Sequence, residues 1–113
     1  MKDRSTRYCG ERALSGAWMV TTGGISLDAR PARRLRERLG TSFEWGHAGG
    51  GALLLGLAIL LDYFEDRRRA LDLCRDFTYR VIAQWLADQS WVLTGVEIEM
   101  VVLAIENGRR AIW

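Results

Sequence analysis

The hydrophobic pattern near the start of the chain has the short period of β-strands. Stretches rich in β-branched and aromatic residues occupy positions 7–13, 17–22 and 25–28, and each predicts a strand. Gly23-Gly24 separates the last two stretches. Paired glycines are a hairpin signal because the turns that match strand twist need positive φ. The sequence therefore predicts an antiparallel β-meander at this end of the domain.

Helical spacing replaces this pattern further along the chain. Residues 52–64 are almost all apolar, which predicts a helix that is buried on several sides. Asp66 is placed to cap a second helix, whose apolar residues recur every three or four positions over residues 70–85. Asp72 and Asp76 each precede an arginine by three or four positions, so we expect ion pairs within this helix.

The last part of the chain carries both patterns. Residues 96–100 alternate like a strand, but Thr94 and Glu97 match a capping box, which favours a helix. Asn107-Gly108 predicts the end of that helix, because both residue types favour the left-handed conformation of a helix terminus. Residues 109–113 would then form a tail that folds back on the core.

Two short elements complete the prediction. Residues 90–93 form a strand candidate, and the basic segment 29–40 has leucines spaced for a short helical turn. We therefore predict an α+β fold in one domain, residues 1–113. It contains a small antiparallel β-meander of three to four short strands, packed on one face against about three helices.

Composition is consistent with a single domain that has its own core. The chain has 113 residues, and 49% of them are hydrophobic, enough for a core without disulfides or metal. Cys9 and Cys74 are isolated and indicate reduced thiols of a cytoplasmic protein, although their spacing also allows a disulfide. Residues 52–61 are too few to span a bilayer, so we expect no membrane insertion.

Catalytic and metal-binding chemistry is poorly represented. His47 is the single histidine and does not cluster with Cys9 and Cys74 into a zinc set, and no G-x-S-x-G context provides a serine nucleophile for it to activate. We therefore predict no catalytic residues, no metal and no cofactor. Glu44 lies between Phe43 and Trp45, where a partly buried carboxyl could act as an acid or base. Pairing of Glu44 with one of the many arginines is the alternative.

The loop that precedes the apolar segment is the main candidate for a binding site. A glycine-rich loop that enters a helix exposes backbone N–H groups to an anion such as a phosphate. The spacing fits neither G-x-G-x-x-G nor a P-loop, so the glycines would alternatively serve only to make a tight turn. The candidate residues for a partner or ligand are Glu44, Trp45, His47, Gly49, Gly50 and Gly51.

A second candidate surface is basic. Of the 16 basic residues, all but Lys2 are arginines, and five of them crowd into one short segment: Arg30, Arg33, Arg34, Arg36 and Arg38. Arginine binds phosphate through a planar fork of donors, so this segment could contact nucleic acid. The net charge of only +2 favours the alternative, a solvated basic face on a nearly neutral domain.

Three segments of the chain form a distinctive set of motifs. The most specific is Ser42-Phe43-Glu44-Trp45-Gly46 with the glycines and apolar run that follow. The others are Tyr8-Cys9-Gly10-Glu11-Arg12 and Trp91-Val92-Leu93-Thr94 up to Ile98. Together they resemble a small bacterial and phage domain family of unknown function, which carries a G-F-E-W-G-Y-G-G-S-G-P-A-Q-L-A-L-A-L-L motif. His47 replaces a tyrosine of the motif, and Gly51-Ala52 replaces Gly-Pro, so the roles of those two family residues do not carry over.

The resemblance implies a protein of phages, prophages or other mobile elements. By analogy with small phage proteins, it implies a non-enzymatic protein that docks on a host protein, such as an inhibitor of anti-CRISPR type. Binding of nucleotide or phosphate at the glycine-rich loop, and binding of nucleic acid through the arginines, remain the alternatives. A homo-oligomer is also compatible with the sequence.

Overall fold

The computed structural model describes residues 1–110, and it confirms the predicted α+β fold. The strands are β1 (Arg7–Arg12), β2 (Trp18–Thr22), β3 (Ile25–Ser26) and β4 (Trp91–Thr94). The helices are α1 (Arg30–Leu35), α2 (Gly50–Phe64), α3 (Arg67–Arg80) and α4 (Gly95–Arg110). Two short 3₁₀ turns, Glu37–Leu39 and Ile82–Gln84, follow α1 and α3.

The four strands form one antiparallel sheet in the order β3-β2-β1-β4. The first three make the predicted meander, and Gly23 and Gly24 have the positive φ values, 59° and 78°, that a tight hairpin turn needs. β4 returns after α3 to pair with β1. Alternation buries one face of the sheet, with Tyr8 and Leu93 opposite each other, and leaves the other face exposed.

Helix α2 is the centre of the core, as its continuous apolar sequence predicts. Most of its residues are buried, and it packs against both α1 and α3. Gly56 lets α3 approach closely, since a Cβ at that position would lie 2.1 Å from Thr78 Oγ1. The helix ends at Phe64, where Glu65 takes a left-handed conformation with φ 56°.

Helix α3 begins as predicted and ends earlier than predicted. The Asp66 carboxylate accepts a hydrogen bond from the Arg69 backbone N–H at 3.1 Å, which caps the helix. The apolar spacing extends to Trp85, but the α-helix stops at Arg80 and gives way to a 3₁₀ turn. One cause is a distant contact, because the Ile82 carbonyl accepts a hydrogen bond from Gly46 N–H at 3.0 Å.

Two predictions are wrong: the ion pairs within α3 and the position at which α4 ends. Asp72 and Asp76 do not pair within α3: both accept hydrogen bonds from Arg109 of α4, at 2.7 and 2.8 Å. The predicted stop at Asn107-Gly108 also fails, since α4 continues to Arg110. The bridging of α3 by Arg109 stabilises this last turn. Of the predicted tail, residues 109 and 110 are helical, and residues 111–113 lie outside the described residues.

The capping box at the start of α4 is confirmed. The Glu97 backbone N–H donates to Thr94 Oγ1 at 3.2 Å, and the Thr94 backbone N–H donates to Glu97 Oε1 at 3.0 Å.

Cys9 and Cys74 are free thiols, so the disulfide alternative is not realised, and burial raises the pKa of the Cys74 thiol. Within residues 1–110, no helix combines the length and hydrophobicity that a bilayer crossing requires.

Candidate functional site

The aromatic residues of the predicted loop site point into the protein. Trp45 is fully buried, and its indole N–H donates to the Gln89 carbonyl at 3.0 Å. Phe43 is also buried. Gly46, the next residue after Trp45, has φ 87° and packs against Ala87, where a Cβ would meet atoms at 2.9 Å. Trp45 is therefore a core residue that anchors the loop and offers no surface to a ligand.

Trp45 belongs to a chain of four tryptophans in contact with one another. The rings of Trp18 and Trp45 contact edge to face at 4.5 Å, and those of Trp45 and Trp91 at 5.6 Å. Trp85 stacks on Trp91 at 4.1 Å. We call these four residues the tryptophan cluster. Gly10 makes room for it, because a Cβ there would lie 2.2 Å from the Trp91 indole.

Glu44 and His47 form a hydrogen-bonded pair at the surface. The Gly49 backbone N–H donates to His47 Nδ1 at 2.9 Å, so in neutral His47 the ring proton lies on Nε2. Nε2 then donates to Glu44 Oε1 at 3.2 Å. Both ring nitrogens are occupied by hydrogen bonds within the loop. In this conformation His47 has no nitrogen available to act as a base on a substrate.

The three glycines allow close approaches at the start of α2. A Cβ on Gly51 would lie 2.5 Å from Glu44 Oε1, and a Cβ on Gly50 would lie 2.7 Å from the Leu39 carbonyl oxygen. The Glu44 carboxylate thus lies against the first turn of α2, where the helix dipole favours a negative charge. Its negative charge disfavours binding of a phosphate at the same helix end. This geometry favours the tight turn over the anion site.

The predicted basic segment forms an exposed surface on α1 and the 3₁₀ turn after it. Ala32 is fully buried, so the small apolar side of α1 packs inward. Arg30 is held by Asp28, to which it donates at 3.0 Å through Nε and through Nη2. The other four arginines are exposed and make no ion pair with any residue in the described range. We call them the arginine face: Arg33, Arg34, Arg36 and Arg38.

Sequence reasoning missed an apolar surface on α4. Val96, Met100 and Leu103 are 47%, 66% and 60% exposed, although they are large hydrophobic residues. They lie four and three positions apart, on a face different from the buried Ile98 and Ile105. We call these three residues the α4 outer stripe. The signal was present in the sequence as a second set of apolar positions at helical spacing.

The α4 outer stripe borders a groove of about 470 Å³ with ion pairs at its rim. Arg4 donates to Glu99 at 3.3 Å, and Arg69 donates to Glu106 at 3.0 Å. Glu99 also accepts a hydrogen bond from the buried hydroxyl of Tyr63. Burial, followed by this hydrogen bond to Glu99, raises the pKa of Tyr63 to about 12. The charged groups at the rim are thus held in place by neighbours within the domain.

A further buried polar contact lies under the sheet. The Tyr8 hydroxyl donates to Asp62 Oδ2 at 2.6 Å, and burial raises the pKa of Tyr8 well above its usual value, with this hydrogen bond as the next cause. The contact joins β1 to the C-terminal half of α2.

No group of three or more His, Cys, Asp or Glu side chains within residues 1–110 is arranged to hold a metal ion.

Comparison with known proteins places the chain in a family but gives no function. Residues 8–104 match a family of unknown function, DUF6166. The match includes all three segments on which the resemblance rested. A search of curated proteins and a search of solved structures each found no significant similarity. The resemblance to a family of unknown function is therefore confirmed, and the chain belongs to DUF6166.

Proposed function

We propose that this protein is a non-enzymatic binding protein that docks on another protein through the α4 outer stripe. The observation that carries the proposal is the exposure of three large apolar side chains on one helical face. Single exposed apolar residues are ordinary, but a contiguous apolar patch with a polar rim is typical of protein interaction sites. The stripe is such a patch, since it adjoins the groove and two ion pairs.

The arrangement resembles the anatomy of protein interfaces. Their centres are apolar, often contain methionine and aromatic residues, and are surrounded by polar side chains that limit access of water. Met100 lies at the middle of the stripe, and Phe64 lines the groove beside it. The Arg69 guanidinium lies 4.3 Å from the centre of the Phe64 ring, which fixes one wall. A partner could therefore bury Met100 without displacing these charged groups.

The narrower form of the proposal names the partner as a host protein in the cytoplasm. In this form the chain is encoded by a phage or another mobile element and inhibits a host defence complex, as anti-CRISPR proteins do. Its support is the resemblance, used as an analogy, together with the two free thiols, Cys9 and Cys74, which suit a reducing compartment.

Site-specific photo-crosslinking in the native host tests the proposal. A photoreactive residue replaces Met100 in one variant and Tyr79 in the control, since both side chains are 66% exposed on helices. We expect one host protein to be crosslinked from position 100, and Leu103→Glu to remove that product. Equal products from both positions, or none from position 100, would overturn the proposal. A product that contains only a second copy of the chain would show self-association instead.

A further inference from the structure

The positive charge of the protein is concentrated in one short segment. Residues 28–38 contain five arginines against two carboxylates, Asp28 and Glu37. The rest of the chain contains eleven basic and twelve acidic side chains, so it is nearly neutral. The whole excess of positive charge in the formal net charge of +2 therefore comes from α1 and the 3₁₀ turn after it. The net charge of the whole chain does not show this asymmetry.

Local contacts leave the arginine face available to a partner. Its four arginines are exposed, and none of them forms an ion pair among residues 1–110. Arg33 and Arg34, together with Arg30 and Glu37, border an open concavity of about 420 Å³. Arg69 and Arg109, by contrast, are held by carboxylates of α4 and α3. The arginine face thus places four exposed arginines, without ion pairs among the described residues, within six positions of the chain.

We propose that the arginine face binds the phosphate backbone of double-stranded nucleic acid. Arginine forms bidentate hydrogen bonds to phosphate, and each neutralised phosphate releases condensed counterions, which supplies binding free energy. This surface does not depend on the α4 outer stripe, and it gives the protein a second kind of partner.

Two observations favour a nucleic-acid duplex over the other acidic partners. A protein interface needs an apolar centre, but the apolar side chains of this segment turn toward α2: Ala32 is buried and Leu35 is half-buried. A single strand would be held by base stacking, and residues 28–40 contain no aromatic side chain. Charge without apolar or stacking surface suits contact with a phosphate backbone.

The number of arginines sets the expected salt dependence. If all four contact phosphates, the slope of log K against log salt concentration is about −3.6 for duplex DNA. Raising the salt concentration from about 50 to 200 mM then weakens binding by about a hundredfold. A surface that carried a single phosphate contact would give a slope of about −0.9 and lose only about three- to fourfold over the same range.

Fluorescence anisotropy with a labelled DNA duplex of about two helical turns tests the proposal, over a range of salt concentrations. The test variants are Arg33→Gln/Arg34→Gln and Arg36→Gln/Arg38→Gln. Because these side chains are exposed and make no ion pairs among the described residues, we expect folded variants, checked by circular dichroism. The control is Arg80→Gln/Arg110→Gln, which removes the same charge from exposed positions on α3 and α4.

We expect each test variant to bind at least about tenfold more weakly at low salt. The slope of log K against log salt concentration should become less steep by about two units, one for each arginine removed. The control variant should bind the duplex as the unmodified protein does. No duplex binding at low salt, or an equal loss in the control, would refute the proposal. Binding of a polyglutamate of matched length as tight as binding of the duplex would assign the face to acidic proteins instead.

Discussion

Replacement of Gly10 by alanine tests how tightly the tryptophan cluster is packed. Gly10 lies in β1 opposite Trp91 of β4, and an added Cβ would lie 2.2 Å from two atoms of the Trp91 indole. Ordinary contacts between such atoms are about 3.5–4.0 Å. The indole has little freedom to move away, because Trp85 stacks on it and Trp45 contacts it edge to face.

Two opposing effects decide the sign of the change. Alanine in a strand is favoured over glycine by about 0.5–1 kcal/mol through chain entropy alone. Overpacking of a filled core costs about 1–3 kcal/mol, and the tryptophan contacts add about 0.5–1.5 kcal/mol for each aromatic pair that is disturbed. The clash therefore wins, and we expect a net destabilisation of about 2 kcal/mol. For a chain of this size, such a change lowers the Tm by roughly 8 °C.

Thermal unfolding followed by tryptophan fluorescence and near-ultraviolet circular dichroism measures this effect. The matched control is a double-mutant cycle with Trp91→Leu, which removes the indole that the new methyl group would strike. In that background we expect Gly10→Ala to be neutral or stabilising. A Tm for the single Gly10→Ala variant at or above that of the unmodified protein would show that the cluster has room, and the reasoning would be wrong.

Two further predictions concern the loop and a buried tyrosine. Gly50→Ala should lower the free energy of unfolding by about 1–3 kcal/mol in urea titration, because its Cβ would lie 2.7 Å from a backbone oxygen, and unchanged stability would contradict the close approach of Leu39. Tyr63 has its pKa raised to about 12 in the folded protein, so the unfolded chain loses this proton first and stability should fall as pH rises from about 10 to 12. A smaller loss over that pH range in Tyr63→Phe, measured by urea titration, is the expected control result; an equal loss in both proteins would assign it to other groups.

Features that depend on residues close together in the sequence were predicted correctly, and features that depend on tertiary contacts were not. The hairpin at Gly23-Gly24 and the caps at Asp66 and Thr94 depend on residues within a few positions, and all three were predicted. The ends of α3 and α4 were not, because they depend on contacts across the fold. Ile82 receives a hydrogen bond from the loop, and Arg109 reaches two carboxylates on the neighbouring helix. Hydrophobic spacing carries no information about such contacts.

The candidate site shows the same limit. Sequence alone identified the segment with Glu44 and the glycines as unusual, and it left open whether a ligand or a turn explains it. The distances from Gly51 to Glu44 and from Gly50 to Leu39 favour the turn, and these are tertiary facts. The α4 outer stripe, by contrast, is visible in the sequence as a second set of apolar positions at helical spacing. It was missed because the apolar residues of α4 were assigned to the core.

The three segments that carry the family resemblance meet at one place, the Trp91 indole. Gly10 leaves room for it, Trp45 contacts it edge to face, and Trp91 itself belongs to the third segment. The packing of the core accounts for this signature, because all three residues are buried: the two tryptophans fill space in the core, and Gly10 leaves space for Trp91. It follows that the signature is a poor guide to what the protein binds. Function is better sought on the arginine face and the α4 outer stripe, where exposed side chains lack a packing role.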